Sequence, residues 1–444
     1  MADYQNEAQR RRKARLAKKA QLRRRRRMLL LGGIGVAAAV VVLMLLFGGG
    51  GEPQTTEPPQ TTVPPQTTAP PPVTTVPQES VSGETGETRP QTGTTVIHVT
   101  VAGDLNVTDY VLENAAHENG YDFSQTFLDV APLLSGADLT LLNFEGNLSG
   151  GSYGSKTGAA PLELPKTLKA IGVDAVQTAN SAAIRQGVSG LVTTLEAFDH
   201  VGLTTLGTYA DSADFRKSGG YEIVEVNGIR IALIAFTKGM DNLGLPAGSE
   251  DCVNLLYKDY STDYKKVDTD RIARVLRNVS EEQPDITIAM LHWGSEYNDE
   301  ISDTQEKIRK QLQEGGVDII VGSHPHLVQK VEYDPIAHTL VAYSLGDFFG
   351  DAVMAGSNYG VILDLQITRV NSTGETYLSG WDYTPIFTLK PEESLLGGHR
   401  VVRIREAMER HELDFVGKIT EEAYGDMEYA LGRIEKRIKP EPKE

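Results

Sequence analysis

Short apolar segments alternate with amphipathic segments from Val96 onwards, and this alternation restricts the fold more than any other sequence feature. The apolar segments have the length of buried strands, and the amphipathic ones carry apolar residues at helical spacing. Strands that alternate with helices indicate an α/β fold with a largely parallel sheet and helices on its faces. The predicted strands are Val96–Ala102, Asp138–Phe144, Asp174–Thr178, Ile286–His292 and Val317–Gly322, and the predicted helices are Ser124–Leu134, Pro165–Ile171, Val188–Val201, Thr269–Glu282 and Thr304–Glu314.

One hairpin interrupts this alternation. Tyr221–Val226 and Ile229–Phe236 flank Asn227-Gly228, a pair typical of a type I′ turn between two strands. More strand-like segments follow, so we expect a second sheet. Beyond Pro391 the chain is charged and mostly helical, and this extension either packs on the domain or stands apart. These later segments are the strands Val328–Asp334, Leu340–Leu345 and Gly360–Ile367 and the helices Val402–His411 and Lys418–Ile438.

The N-terminal segment has the pattern of a membrane anchor. Residues 1–27 hold twelve Lys or Arg against two acids, and the next twenty residues, Met28–Phe47, carry no charge. A helix of that length spans about 30 Å, the thickness of a bilayer core. The basic run predicts a cytoplasmic N-terminus next to anionic lipid headgroups, with the rest of the chain outside the cell. A cleaved signal peptide is the less favoured alternative, because its apolar core usually has about 7–15 residues.

Between this segment and Val96 the chain is rich in proline and threonine. Pro-Gln-Thr-Thr occurs at 53–56, 59–62 and 65–68. Such composition favours extended polyproline II at about 3.1 Å per residue and predicts a disordered stalk. The predicted organisation is therefore a cytoplasmic tail, a single transmembrane helix, a stalk, an α/β domain and a helical extension, which occupy residues 1–27, 28–47, 48–95, 96–390 and 391–444 respectively.

Composition excludes two classes of site. The chain has one cysteine, Cys252, so it forms no intrachain disulfide and no cysteine-based metal cluster. Its formal net charge is −17, and since residues 1–27 contribute +10, the remainder carries −27. A surface this acidic argues against nucleic acid as a partner.

Side chains that bind divalent metals follow most of the predicted strands. In open α/β sheets ligands gather at the carboxyl ends of strands, so we expect these side chains to meet. Each has an ordinary structural explanation when taken singly: a helix cap, a solvated acid, a core histidine or a turn. Their joint placement predicts a site for one or two divalent ions of the Mn, Zn or Fe type. The residues at these strand ends are Asp104, Glu145, Asn180, His292, His324, His326 and Asp347.

The order of short motifs resembles that of the CapA family, bacterial capsule or poly-γ-glutamate biosynthesis proteins. The fold of that family is similar to calcineurin-like metallophosphoesterases. The resemblance covers residues 96–388 and implies layered sheets flanked by helices, a membrane-anchored extracellular protein, and metal ligands at Asp104, Glu145, His292, His324 and His326. The motifs are Gly103-Asp104, Asn143-x-Glu145, Ala179-Asn180, His292-Trp293-Gly294-x-Glu296-Tyr297, Gly322-x-His324-Pro325-His326 and Tyr343-Ser344-Leu345-Gly346-x-Phe348.

The chain departs from the family pattern after Asn180. Ser181 stands where the family has a metal-binding Asn, and Ala182 stands where it has a histidine resembling the general acid of the phosphoesterases. Arg185 replaces an acid, and Asp347 stands where Asn is usual. A positioned general acid contributes about 10²–10⁴-fold to a rate, so its loss should strongly reduce hydrolysis.

Three functional hypotheses follow. The first is a metal-dependent, phosphoesterase-like hydrolase of polymer biosynthesis, in which Asn180 or Asp347 supplies the missing catalytic functions. The second is a catalytically degenerate binding or assembly component that recognises an anionic cell-surface polymer or capsule-synthesis subunits. The third is a wall-spanning structural domain without a ligand, which the clustered acids and histidines make the least favoured. The sequence leaves enzymatic activity open.

Overall fold

The computed structural model describes residues 93–350, 354, 356–394, 397–412 and 419–438. All of them belong to one compact unit that spans Arg89–Glu444. The predicted cytoplasmic tail and transmembrane helix, and the stalk up to residue 92, lie outside the described residues. Among the helices that are described, none combines the length and the apolar composition that crossing a bilayer requires.

The described strands are numbered β1 to β18 in chain order. Most of them are short, and the three longest are the first strand and two strands near the end of the domain. The strands are β1 Thr94–Leu105, β2 Ala116–His117, β3 Gly120–Tyr121, β4 Leu139–Phe144, β5 Asn147–Ser149, β6 Ala159–Pro161, β7 Ala175–Gln177, β8 Thr204–Leu206, β9 Glu222–Val226, β10 Ile229–Thr237, β11 Ile286–His292, β12 Ile319–Ser323, β13 Val331–Asp334, β14 Thr339–Ala342, β15 Asp347–Phe349, β16 Tyr359–Val370, β17 Thr376–Leu389 and β18 Arg400–Arg403.

These strands form two large mixed sheets. The first has the order β18-β17-β16-β1-β4-β7-β8, with β15 also paired to β1, and the second has the order β13-β14-β12-β11-β10-β9. In the first sheet β1, β4, β7 and β8 run parallel, and in the second β10, β11, β12 and β14 do. Antiparallel strands continue the first sheet on one side of its parallel half and flank the parallel centre of the second sheet on both sides. The expectation of a largely parallel sheet is therefore correct for one half of the first sheet and for the centre of the second.

Helices cover the outer faces of the sheets. The helix Leu164–Ala170 contributes apolar side chains to the cluster on the outer face of the first sheet. The helices Thr269–Glu282 and Asp303–Glu314 do so on the outer face of the second. The helices are α1 Asp109–Ala115, α2 Ala131–Ser135, α3 Leu164–Ala170, α4 Gly187–His200, α5 Ser212–Ser218, α6 Thr269–Glu282, α7 Asp303–Glu314, α8 Ile404–Glu412 and α9 Glu421–Arg437, with a 3₁₀ turn at Pro391–Glu393.

The two sheets pack face to face. Alternate residues of β1 and β10, such as Val99 and Ile231, share one buried cluster, while their neighbours, such as Ala102 and Ile234, face the helices. Strands buried on both faces read as continuous apolar runs, which is why the sequence pattern identifies them. The C-terminal extension contributes to the cluster between the sheets through Met427, so it packs on the domain. The architecture is a layered α/β fold with helices outside and sheets inside.

The Asn-Gly hairpin prediction is confirmed. β9 and β10 pair antiparallel, and Asn227 and Gly228 have φ of 50° and 79°, the positive values that a type I′ turn requires. The helix predicted over Ser124–Leu134 is wrong in its first half, because residues 124–130 form turns and α2 begins at Ala131. Pro132 explains the difference, since proline is tolerated in the first turn of a helix but not in its interior.

Candidate metal centre

The carboxyl ends of strands from both sheets meet at one place. Asp104 lies near the end of β1, where its Cα pairs with those of Asp347 in β15 and Asn143 in β4. His292 is the last residue of β11, and its Cα pairs with that of Ser323 at the end of β12. The backbone N–H of His324 donates to Asp104 Oδ2 at 2.9 Å, which joins the second sheet to the first. The structure thus brings together all five residues that the sequence predicts as ligands.

Glu145, His292 and His324 form the first candidate cation site, called here the histidine-rich group. Each offers one ligand atom, and these atoms lie within 4.8 Å of one another. Glu145 Oε1 lies 3.4 Å from His292 Nε2, and the rings of His292 and His324 have centroids 4.5 Å apart. Two imidazoles and one carboxylate suit Zn²⁺, Mn²⁺ or Fe²⁺ better than Ca²⁺ or Mg²⁺.

Asp104, His326 and Asp347 form a second candidate site, called here the carboxylate group, which satisfies the same 4.8 Å criterion. His326 Nδ1 is hydrogen-bonded to Asp347 Oδ1 at 2.7 Å and lies 3.7 Å from Asp104 Oδ2. On its other side His326 Nε2 lies 3.7 Å from Glu145 Oε2, so this imidazole connects the two groups. Asp347 accordingly lies among the candidate ligands, while the catalytic role predicted for it stays a prediction.

The turn that carries both histidines has an unusual backbone. His324 and His326 have φ of 91° and 55°, in the left-handed region that L-residues seldom adopt. Such a conformation costs about 1–3 kcal/mol for each residue and persists only where surrounding contacts fix it. Here Pro325 separates the two histidines, and the His324 N–H bond to Asp104 fixes one side of the turn. The backbone strain therefore serves to direct two imidazoles at the acids of the first sheet.

Asn180 stabilises the loop that carries Glu145. Its Nδ2 donates to the carbonyl of Phe144 at 2.5 Å and to Asn143 Oδ1 at 3.3 Å, while its Oδ1 accepts from the N–H of Ala182 at 3.1 Å. Asn143 in turn donates to Asp104 Oδ1. In this arrangement both polar atoms of the Asn180 side chain are engaged by protein, and its predicted catalytic role stays a prediction.

Three of the departures from the family pattern follow Asn180, and the first of them contacts Glu145. Ser181 Oγ donates a hydrogen bond to Glu145 Oε1, so the hydroxyl fixes the carboxylate. Ala182 is 3 % exposed and presents a methyl group, which neither donates nor accepts a proton. Arg185 points instead to Asp241, with Nη2 and Oδ2 2.6 Å apart. The local chemistry therefore retains support for a ligand and lacks a proton donor at residue 182.

The electrostatics differ between the two groups. Burial raises the pKa of Glu145, but electrostatic attraction to His292 and His326 lowers it by more. The pKa of Glu145 therefore lies below its usual value. Burial lowers the pKa of the His324 imidazole well below its usual value, and His292 and Lys238 add to the effect. An ionised Glu145 and a neutral His324 are the protonation states that bind a metal ion at neutral pH.

The carboxylate group instead retains a proton. Burial raises the pKa of Asp347 to about 7, with the attraction of His326 opposing the rise. Burial lowers the pKa of His326, but Asp347 and Glu145 outweigh it and raise this pKa well above its usual value. Burial likewise raises the pKa of Asp104. Both partners of the His326–Asp347 hydrogen bond thus hold protons more strongly than they would in water.

Lys238 is a residue of this site that the sequence reasoning missed. It follows β10, and its Nζ donates to the carbonyl of Gly294 at 2.8 Å and lies 3.3 Å from His324 Nε2. The rule that ligands gather at carboxyl ends of strands would have found it, because Thr237 ends a parallel strand. Tyr297 belongs to the His292–Tyr297 motif, which predicts no role for it, and its ring packs on His326.

The histidine-rich group passes a test of fit to a cation. Glu145 Oε2, His292 Nε2 and His324 Nδ1 are buried and have no hydrogen-bond partner within the described part of the chain. Buried polar atoms are nearly always satisfied, so three such atoms in one cluster point to a missing positive partner. His292 Nδ1 is hydrogen-bonded to Ser323 Oγ at 3.1 Å, which orients the ring as partners of metal-bound histidines do.

Comparison with known proteins identifies the family. The sequence profile described as "Bacterial capsule synthesis protein PGA_cap" matches residues 98–352. This match covers more than half of the 444 residues, and the chain belongs to this family of bacterial capsule synthesis proteins. The resemblance to CapA proteins seen in the sequence motifs is thereby confirmed.

Two curated relatives carry the CapA name. The PGA biosynthesis protein CapA of Bacillus subtilis is 26 % identical over 299 residues, which cover 66 % of this chain and 71 % of the relative. The capsule biosynthesis protein CapA of Bacillus anthracis is 27 % identical over 263 residues, which cover 57 % of this chain and 59 % of the relative. The chain therefore matches about three fifths to seven tenths of these proteins.

Solved structures with a similar fold include two phosphoesterases. A phosphatase from Mycoplasma pneumoniae has 15 % sequence identity and a TM-score of 0.41, and the match covers 66 % of this chain and 95 % of that one. A calcineurin-like phosphoesterase from Bacillus subtilis has 14 % identity and a TM-score of 0.38, with 66 % and 91 % covered.

Proposed function

We propose that this protein is a membrane-anchored component of capsule polymer biosynthesis whose extracellular domain binds a divalent transition-metal ion between Glu145, His292 and His324. Family membership supports the role in capsule synthesis. One observation carries the metal: three buried polar atoms of this group lack a hydrogen-bond partner in the described part of the chain. The three residues also each offer a ligand atom, and these ligand atoms lie within 4.8 Å of one another. The apolar segment after the basic tail supports the anchor, and the charge asymmetry supports the orientation.

A bound ion in this group would act as a Lewis acid on a phosphoryl or carbonyl oxygen and would lower the pKa of water. The residues of the chain have supporting tasks. Ser181 holds the Glu145 carboxylate in place, and Ser323 orients the His292 ring. The hydrogen-bonded pair of His326 and Asp347 holds a proton beside the site. These parts suit hydrolysis of a phosphoester or amide-type bond of a polymer.

A second candidate function is binding or assembly without turnover. The buried methyl group of Ala182 favours it, because a proton donor is lacking where the family has histidine. In that case the ion bridges the acidic domain to an anionic polymer, since a net charge of −27 beyond residue 27 repels polyanions. The capsule polymer and other subunits of its export machinery are the partners that this candidate implies.

Metal analysis of the purified full-length chain tests the proposed site. We expect at least one equivalent of Mn²⁺ or Zn²⁺ by elemental analysis, and about 10–100-fold weaker binding in His292→Ala or His324→Ala by calorimetry. His98→Ala is the matched control, because His98 pairs with Asp364 on the surface and lies outside both groups. A wild-type protein that binds neither ion disproves the metal site.

A gain-of-function variant separates turnover from binding. Ser181→Asn combined with Ala182→His restores the two side chains of the family pattern beside Glu145. Hydrolysis of a chromogenic phosphodiester by the wild type supports the hydrolase. If only the double variant hydrolyses the compound, the wild type is a degenerate enzyme and the binding candidate holds. If metal is bound and neither protein hydrolyses it, this site is not organised for phosphodiester turnover.

A further inference from the structure

A short segment between the site and the C-terminal helix is hydrogen-bonded to the turn that carries His324 and His326, called here the histidine turn. The segment is Tyr297–Ile301, called here the 297–301 segment. The N–H of Tyr297 donates to the carbonyl of Pro325 at 2.9 Å, between the two histidines of the turn. Gln329 Nε2 donates to the carbonyl of Asn298 at 2.9 Å. Both bonds join this segment to the residues that carry His326.

The aromatic ring of Tyr297 covers the His326 imidazole. The two ring centroids are 5.4 Å apart and the planes are inclined by 28°, a stacked arrangement. Tyr297 is 40 % exposed whereas His326 is only 7 % exposed, so the phenol ring lies between the imidazole and solvent. Tyr297 has a φ of 55°, in the left-handed region, which indicates that its contacts impose the backbone conformation.

The other end of this segment is bound to α9. Asp299 accepts a hydrogen bond from Arg437 Nη2 at 2.5 Å, and Arg433 Nη2 lies 3.7 Å from the same carboxylate. Arg437 Nη1 donates to the carbonyl of Val328 at 2.9 Å. One guanidinium therefore connects Asp299, two residues after Tyr297, with Val328, two residues after His326. The Arg437 side chain is largely buried, whereas that of Asp299 is about half exposed.

Helix α9 provides a rigid reference for these contacts. Thr420 caps its first turn by accepting from the N–H of Ala423. Its apolar face, with Met427 and Ile434 fully buried, belongs to the core between the two sheets. The helix lies beyond residues 98–352, the part that the family profile matches. The connection to the histidine turn is thus a property of the C-terminal extension of this chain.

We propose that Arg437, Asp299 and Tyr297 form a positioning clamp, through which the C-terminal helix holds the His326 imidazole against Asp104, Glu145 and Asp347. The three residues act on the site by fixing the ring and take no part in chemistry. The effect on metal binding rests on the proposed function, whereas the mechanical coupling of helix and histidine does not. A site that must hold its ligands to a fraction of an ångström needs such supporting contacts.

The clamp is tested in the full-length protein with Arg437→Ala, Tyr297→Ala and the conservative Tyr297→Phe. Arg405→Ala is the matched control, because it removes an exposed ion pair that Arg405 of α8 makes with Glu435 of α9, the helix that carries Arg437. Hydrogen exchange followed by mass spectrometry reports on residues 295–301. Diethylpyrocarbonate acylates only the neutral imidazole, so the rate of acylation of His326 is measured at several pH values to separate the cover over the ring from its protonation. Mn²⁺ titration reports on the site.

We expect faster amide exchange across residues 295–301 and faster acylation of His326 in Arg437→Ala, and faster acylation in Tyr297→Ala. Tyr297→Phe and Arg405→Ala should match the wild type. Mn²⁺ binding should weaken by about tenfold in the two disruptive variants, as for other residues that orient metal ligands. Exchange and acylation in Arg437→Ala equal to those in Arg405→Ala overturn the clamp. If the wild type binds no Mn²⁺, the proposed function fails, and exchange and acylation alone decide the clamp.

Discussion

At the scale of single residues, the two candidate cation groups differ in protonation and in hydrogen bonding. The histidine-rich group has an ionised Glu145, a neutral His324 and three unsatisfied buried atoms. The carboxylate group has a hydrogen bond between His326 and Asp347 and raised pKa values on both sides of it. A cation therefore displaces no proton from Glu145 or His324 in the first group and competes with one in the second.

This difference predicts two equivalents of Mn²⁺ with distinct pH dependence. The affinity of the first should not follow the titration of Asp347, because Glu145 is already ionised and His324 already neutral. The second should bind more tightly as the pH rises through about 7, the pKa of Asp347, and above it, because Asp347 and His326, whose pKa is also raised, must each release a proton. Calorimetric titration at several pH values measures both. Identical pH dependence of the two equivalents would contradict this assignment of protonation states.

Asp347→Asn should change how the stability of the metal-free protein depends on pH. The pKa of Asp347 is about 7 in the folded protein and 3.8 in its ordinary state, so the folded form binds more protons. Stability of the wild type should therefore fall as the pH rises from about 4 through 7. The asparagine variant lacks this loss and should be the more stable protein at pH 8, by on the order of 2 kcal/mol.

Urea denaturation in EDTA at pH 5 and pH 8 measures this difference. Asp263→Asn, a substitution of an exposed acid, is the matched control. Equal pH dependence in Asp347→Asn and the wild type would show that Asp347 is not held protonated. His326 contributes with the same sign at higher pH, because its pKa is also raised in the folded state.

At the scale of elements, local sequence patterns predicted the strands and helices that carry the site. The bounds of α6 and β11 were predicted as observed. The long strand β17, Thr376–Leu389, was missed because Gly380, Asp382 and Pro385 disfavour a strand by composition. Its conformation comes from antiparallel pairing along β16, a contact that no local pattern reports.

The C-terminal helix α9 offers a test of its contribution to the fold. Gly425 and Gly432 lie in this helix, and an added Cβ at either would meet no atom within 4 Å. Alanine at these positions should stabilise the protein by about 0.5–1 kcal/mol each, because glycine is a poor helix former.

Thermal unfolding of Gly425→Ala and Gly432→Ala measures this effect. Gly103→Ala provides the opposite case, since its Cβ would collide with the backbone carbonyl of Gly346 beside Asp104, and it should destabilise the protein. A lower melting temperature in both helix variants would mean that α9 is not helical at these residues in solution.

At the scale of the whole molecule, the site exists because two sheets end at the same place. Asp104 belongs to the first sheet and His292 to the second, and their carboxyl ends meet through the His324 turn. The C-terminal extension closes this arrangement by packing on the core between the sheets. A loss of α9 would therefore expose core residues and release the 297–301 segment together.

Membrane attachment is predicted for the whole chain. Full-length protein expressed in a Gram-positive host should sediment with membranes, and protease added to intact protoplasts should degrade the domain after residue 95. Deletion of residues 2–47 should leave the protein in the soluble fraction of the cell. Full-length protein in the soluble fraction, or a domain protected from protease, would disprove the proposed anchor or its orientation.

The sequence by itself determined the alternation of strands and helices, the Asn-Gly hairpin, the family, and the residues with metal-binding chemistry. These properties depend on the identity and spacing of residues that are close in the chain, and both can be read directly from the sequence. The tertiary structure alone decided which side chains meet, because His324 and Asp104 are separated by 220 positions and come together only through strand order. Sheet pairing likewise placed Asp347 beside Asp104 and Lys238 beside His324, and the packing of the C-terminal helix on the core placed Arg437 beside Asp299.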